Sequence, residues 1–348
     1  MLRNCWRAAI FFLIAFQSGY AQKPWFLQNR GYYDPVLAEP RAALTQVLFP
    51  GIASSFPFAV NPGRGVVWDI SVGKEIPVLG FESNQTQSPA GVPAGSWGFG
   101  LWFPLSFHMI EDLGKDPSNP ILNTDYRFSG MLKAQYGLGD AGKLVDSRIG
   151  LRFQFGHEST HIGDEFTLGA LRTHPNDFLR VNVSYEYYDF GASFEPNFGK
   201  GGRYRLKLRG GNIWLWHPDN GWYSRDLLQP FGQFIAGSKR NHEPYGQVEL
   251  LTPSPWTKLN FIVSADIRDR TIYQYNRVPT AAFVNPDEPT QVSLNTMVGV
   301  RQQHLGTGRL GLISPTYFIR YYHGVNPNGQ FRSQKNFQLI GFGVQLGF

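Results

Sequence analysis

Cysteine is almost absent. The one present, Cys5, lies in a leading stretch with Arg3 and Arg7, an apolar run over 10–16 and the small-residue site Gly19-Tyr20-Ala21. That order is expected of a cleaved export signal over 1–21, with the mature chain starting at Gln22. Without Cys5 the mature protein has no thiol, which excludes both a disulfide framework and a lipid-anchored N-terminal cysteine. Long apolar runs are missing too. No stretch of about 18 apolar residues follows the signal, so no helix is expected to span a membrane. Charge of one sign is scarce: the formal net charge is +6, and it falls to +4 without Arg3 and Arg7. So mild an excess on an exported chain suits contact with anionic lipid or lipopolysaccharide and gives no case for nucleic acid.

What is abundant is glycine (39 residues) and aromatics (15%), within a composition that is 42% hydrophobic at a mean hydropathy of -0.27. Apolarity is hidden on alternate residues. Residues 97–109 put Phe99, Leu101, Phe103, Leu105, Phe107 and Met109 on one face; 125–138 do the same with Tyr126, Phe128, Leu132, Ala134, Tyr136 and Leu138. The final segment alternates Ile340, Phe342, Val344, Leu346 and Phe348 with Gly341, Gly343, Gln345 and Gly347. Further segments fall at 66–81, 148–162, 178–190, 202–216, 230–238, 245–252, 257–268, 292–303 and 309–323. Period-two alternation means strands with one oily face, and closure removes their edges. The expectation is an all-β, antiparallel, up-and-down transmembrane barrel of about twelve strands over 66–348, in a Gram-negative-type outer membrane. The proline-bearing stretch 22–65 reads as an extended periplasmic lead-in.

Two consequences follow from this count. A twelve-stranded bore is narrow, and polar faces would fill it with Arg152, Glu158, Glu186, Arg203, Arg205 and Arg209, a charge network that plugs it. Counting back from the C-terminus also places the long 163–177 connection at the same end as the short Thr252–Trp256 turn. That conflict implicates the assignments between 210 and 260 and leaves open the membrane side of the cluster described next.

The densest chemistry is in 148–166, RIGLRFQFGHESTHIGDEF. His157-Glu158-Ser159-Thr160-His161 spells the His-Glu-x-x-His zinc-protease pattern, but that chemistry needs a helix, where positions i and i+4 share a face. On a strand the two histidines stand about 13 Å apart, and no third ligand is evident, so neither metal nor cofactor is expected. A second reading takes His157, Ser159 and His161 on the outward face as a base and nucleophile for lipid acyl hydrolysis, with Asn176, Asp177 or Glu165 as a third member. A third makes the same residues part of the polar interface belt of a barrel with a binding or structural role at the surface.

The His157-x-Ser159 spacing resembles that of outer-membrane phospholipase A and the lipid A deacylase. More broadly, the chain resembles an uncharacterised bacterial family of predicted outer-membrane proteins with a His-x-Ser-Ser-His-x-Gly-Asp-Glu strand. The matching pieces are Asp34-Pro35 to Pro40-Arg41, Asn123-Thr124-Asp125-Tyr126-Arg127, His157 to Phe166, Arg180 to Glu186, the GVNPNGQF segment at 324–331, and 341–348. Thr160 stands where the family has its second serine, so the resemblance points to Ser159 as any nucleophile. It implies location and shape and carries no established activity. Oligomeric state and substrate are not legible in the sequence.

Overall fold

The computed structural model describes residues 23–27, 32–54, 65–83, 93–114, 119–141, 144–173, 183–199, 203–216, 221–224, 233–236, 242–254, 259–272, 290–302, 314–332 and 334–347. The expected signal, 1–21, lies outside them. In chain order the strands are β1 (Lys23–Phe26), β2 (Thr45–Ala53), β3 (Gly65–Glu82), β4 (Trp97–Asp112), β5 (Ile121–Ala141), β6 (Leu144–Ile162) and, after the helix α1 (Asp164–Thr173), β7 (Val183–Phe198). They continue with β8 (Tyr204–Trp216), β9 (Gly221–Ser224), β10 (Gln233–Ala236), β11 (His242–Pro253), β12 (Leu259–Thr271), β13 (Thr290–Gln302), β14 (Ser314–Gly324) and β15 (Phe337–Gly347).

Twelve of these close into a ring of antiparallel neighbours: β2 pairs β3, β3 pairs β4, and so on round to β15, which pairs β2. β1 extends the ring at the far end of β3, and β9 with β10 forms a separate two-stranded sheet. No described helix is long and apolar enough to cross a membrane; strands of up to 21 residues do so instead. Their outward side chains are the expected ones on β5, β6 and β15: Tyr126, Phe128, Leu132, Leu151, Phe153, Phe155, Ile340 and Phe342 are exposed, while Ser129, Lys133, Arg152 and Glu158 are buried inside.

The number of wall strands agrees with the sequence count because two differences cancel. The lead-in was expected to run to 65, yet Thr45–Ala53 is a wall strand. Conversely, the expected strand 230–238 is represented only by the short Gln233–Ala236 outside the ring. Moving one strand across the chain removes the conflict over 163–177. The turns at 142–143, 199–203 and 254–258 now share an end with the C-terminus and with the longer connections 83–96 and 303–313, while the three longest connections between wall strands, 163–182, 217–241 and 272–289, lie at the other. Short turns are periplasmic and long loops external in this class of barrel, so residues 157–165 belong to the long-loop end.

The bore is filled from both ends. Residues 32–44 enter it as an internal strap in which Tyr32, Tyr33, Val36, Leu37 and Ala38 are almost wholly buried. Its backbone is held by the wall: Leu37 N–H donates to Glu249 (2.7 Å), Ala38 N–H to Ser264 (3.0 Å), and Asn295 donates to the Ala38 carbonyl (2.6 Å). Its charges are paired as well, Glu39 with Arg152 (3.1 Å) and Arg41 with Asp125 (2.5 Å). Burial opposes ionisation of Glu39, but Arg152, Arg209 and Arg268 around it outweigh that cost and hold its carboxyl below the usual range. The guanidinium groups of Arg209 and Arg152 also lie over the Tyr33 ring at 4.3 and 5.0 Å.

From the long-loop end, 324–332 folds inward. Phe331 meets Phe166 of α1 edge-on at 5.7 Å, within an apolar cluster that includes Ile110, Leu122, Ile162 and Phe337. Among the described residues a cavity of about 20 Å³ lies beside Glu39, Arg127, Arg152, Asp189 and Arg268, room for about one water.

Two outcomes are expected. Planar-bilayer recordings of the purified protein should show no steady open conductance; a large anion-selective pore would contradict the filled bore. Arg41→Ala removes the ion-pair partner of the buried Asp125 carboxylate and should cost about 3 kcal/mol in denaturant unfolding. Arg205→Ala, an exposed position, should stay within about 0.5 kcal/mol of the parent.

Candidate active site

Strands β6 and β7 lie side by side, with His157 opposite Glu186 and Ser159 opposite Ser184. All four, together with His161, project to the outward face above the apolar band of Leu151, Phe153, Phe155 and Phe190. The strand ends here because Gly163 passes so close to β5 that a Cβ on it would lie 1.7 Å from the Ile121 carbonyl oxygen. Only glycine allows that approach. The next residues, Asp164 and Glu165, open α1, where acidic side chains complement the helix N-terminus.

Across the two strands runs an ordered polar chain. Glu186 Oε1 lies 3.3 Å from His157 Nδ1, and His157 Nε2 lies 3.2 Å from Ser184 Oγ. With Nδ1–H donating to the carboxylate, Nε2 presents its lone pair to the serine hydroxyl. A second pair lies alongside it, Ser159 Oγ and His161 Nε2 at 3.1 Å. Aromatic rings support both imidazoles: Phe128 packs against His157 at 5.0 Å and Tyr126 meets His161 edge-on at 5.7 Å. The side chains of His157 and Glu186 are 26% and 30% exposed, so the carboxylate is half sheltered where its only ion-pair partner among the described residues is that imidazole.

The expected site residues divide as follows. His157, Ser159 and His161 do share the outward face, but Ser159 bonds His161, and both nitrogens of His157 turn to β7. The register decides this: it sets His157 directly opposite Glu186, with Ser184 diagonal to it across the strand pair. Glu186 was expected in the bore and is instead on the outward face. Tyr185 and Tyr187 alternate with Ser184 and Glu186 and, counted as apolar, would face lipid; they are 3% and 1% exposed inside the barrel. Their rings fill a narrow bore while their hydroxyls meet its polar groups, as in the bond from Arg332 to Tyr185 (3.3 Å). This inverts the face of the whole strand and brings Ser184 out with Glu186.

Within the bore, Glu158 pairs with Arg127 (3.0 Å), Arg152 with Asp189 (2.8 Å) as well as Glu39, and Arg209 with Glu195 (3.3 Å). Arg203 and Arg205 are exposed at the short-turn end and are not part of that network. The third-member candidates Asn176 and Asp177 lie outside the described residues. Glu165 is exposed on α1. His-Glu-x-x-His lies on a strand, which points Glu158 away from both histidines, and the described residues contain no group of three or more His, Cys, Asp or Glu able to hold a metal.

Comparison with known proteins places this geometry in context. No curated protein matches the chain. Among solved structures, outer membrane phospholipase A from Escherichia coli is similar at 11% identity and a TM-score of 0.44, over 92% of this chain and 95% of that one. The translocator domain of the autotransporter NalP from Neisseria meningitidis is similar at 11% identity and a TM-score of 0.44, over 88% of this chain and 87% of that one. The transport unit of the autotransporter AIDA-I from Escherichia coli gives 11% identity and 0.44, over 90% and 93%. These likenesses concern architecture alone. The family model described as a protein of unknown function, DUF1207, matches residues 64–226, which contain both β6 and β7. Over that region the chain is similar to the DUF1207 family, and its closed antiparallel ring is the fold of an outer-membrane β-barrel.

Proposed function

We propose that this barrel is an acyl-ester hydrolase of outer-membrane lipid or lipopolysaccharide, with Ser184 as nucleophile, His157 as base and Glu186 as the group that orients it. The observation that carries the reading is the order of the polar chain, Glu186 to His157 Nδ1 and His157 Nε2 to Ser184 Oγ, at 3.3 and 3.2 Å. Carboxylate, imidazole and hydroxyl in that sequence constitute a base-activated serine. Its place on the outward surface, just above the apolar band, is where the ester of a membrane lipid lies.

The chemistry balances without a cofactor. Ser184 Oγ attacks the ester carbonyl as its proton passes to His157 Nε2, and the imidazolium is stabilised by Glu186. Collapse of the tetrahedral intermediate breaks the bond to the alcohol oxygen, which takes the proton from His157. Water, deprotonated by the same imidazole, then releases the fatty acid and regenerates Ser184. Ser159, directly opposite Ser184 and hydrogen-bonded to His161, is the side-chain donor next to the developing oxyanion.

A filled bore by itself suits a binding or structural role equally well; the ordered chain is what favours hydrolysis. The test is release of fatty acid from lipid vesicles and of alcohol from a 4-nitrophenyl acyl ester in micelles. Ser184→Ala and His157→Ala should each lower turnover by at least about 10³-fold. Glu186→Gln should cost about tenfold or more, and Ser159→Ala should leave a weaker but measurable rate. If Ser159→Ala alone abolishes turnover, the nucleophile assignment is wrong. If the parent protein releases nothing, the hydrolytic reading gives way to the binding or structural one.

A further inference from the structure

The residues that alternate with the site along β6 and β7 point into the bore, and the inward-folded segment 324–332 holds two of them, Thr160 and Tyr185. Gln330 Nε2 donates to the Thr160 carbonyl at 2.8 Å, and its backbone N–H donates to Asn123 Oδ1 at 3.2 Å. Gly329 N–H donates to the Asp125 carboxylate at 3.3 Å. It packs so tightly on β6 that a Cβ there would lie 2.2 Å from the Thr160 methyl carbon. Arg332 donates to the Tyr185 hydroxyl at 3.3 Å and pairs with Glu243. Glu158, meanwhile, is held by Arg127 at 3.0 Å.

Each gripped residue has site residues for neighbours. Thr160 lies between Ser159 and His161, Glu158 between His157 and Ser159, and Tyr185 between Ser184 and Glu186. A strand is a thin lever: rotating it about its axis to move an inward side chain swings the adjacent outward ones the other way. A displacement near 1 Å would take Ser184 Oγ out of reach of His157 Nε2, and misplacement of that size costs on the order of 10²-fold in rate.

We infer that the inward-folded 324–332 segment is the positioning element of the outward site, with Gln330 and Arg332 as positioning residues that fix the relative setting of β6 and β7 from behind. This rests on the hydrolytic reading given above. It assigns a role to Asn123, Asp125, Gly329 and Gln330, which lie on the far side of the wall from the reacting atoms and touch none of them.

The test uses the full-length protein refolded in detergent. Turnover of a 4-nitrophenyl acyl ester is measured beside the rate of labelling by an alkyl fluorophosphonate, with the modified serine located by mass spectrometry. Gln330→Glu keeps the shape but replaces the donor to the Thr160 carbonyl with an acceptor. It should lower kcat about tenfold with KM within twofold of the parent, and slow phosphonylation while leaving it on Ser184. Ser264→Ala, which removes a wall contact to the strap on another strand, should change neither. Gln330→Met, judged by the same criteria, substitutes if Gln330→Glu does not fold. Parent-like kcat and labelling in the Gln330 variant, or an equal loss in Ser264→Ala, would overturn the inference and leave the hydrolytic reading standing. A parent protein that neither turns over ester nor labels removes both.

Discussion

Closing twelve strands fixes the character of both surfaces of the wall. Outside, alternate residues must suit hydrocarbon. Inside, the bore is too tight for bulk water, so every polar side chain there needs a partner from the protein itself. The strap 32–44 and the inward-folded 324–332 segment are the response to that requirement. They bring backbone donors and acceptors, Glu39, Arg41, Gln330 and Arg332 to wall residues that would otherwise be buried unpaired. Breaking such a pair is expensive, because the group left behind keeps its desolvation cost.

The same constraint gives meaning to the outward cluster. A carboxylate, two imidazoles and two hydroxyls cluster on the hydrocarbon-facing side of β6 and β7, where alternation calls for apolar residues. They lie at the edge of the apolar band, and they satisfy one another across β6 and β7. Departure from a local rule at one place, with the surroundings organised to support it, is the physical mark of a functional site. Inner and outer faces of these two strands are therefore parts of one device: residues 158, 160 and 185 are anchored, and residues 157, 159, 161, 184 and 186 are presented.

Much of this was legible in the sequence, and the exceptions have physical causes. The alternation on β5, β6 and β15 identified wall strands and their faces because large aliphatic and aromatic residues alternate there with charge or glycine. On β7 the same rule misled, since tyrosine counts as apolar in a binary pattern but serves inside a narrow bore as a filler with a polar tip. That single inversion hid Ser184 and sent Glu186 to the wrong side. The strand Thr45–Ala53 was masked by the prolines around it, and the conflict in loop lengths was the trace it left. His157 stands out in the sequence; the residues the structure sets beside it, Ser184 and Glu186, do not, because they are placed by cross-strand register, which depends on how two segments slide against each other.

The central claim is that β6 and β7 present 157, 159, 161, 184 and 186 to the bilayer and 158, 160 and 185 to the packed interior. Spin labels on single cysteines at these eight positions, in a chain with Cys5 replaced, test it through accessibility to oxygen in lipid bilayers. The account predicts a strict alternation on both strands, high at the five outward positions and low at the three inward ones. A profile on 184–186 with the opposite phase, or one without alternation over 157–161, would contradict it.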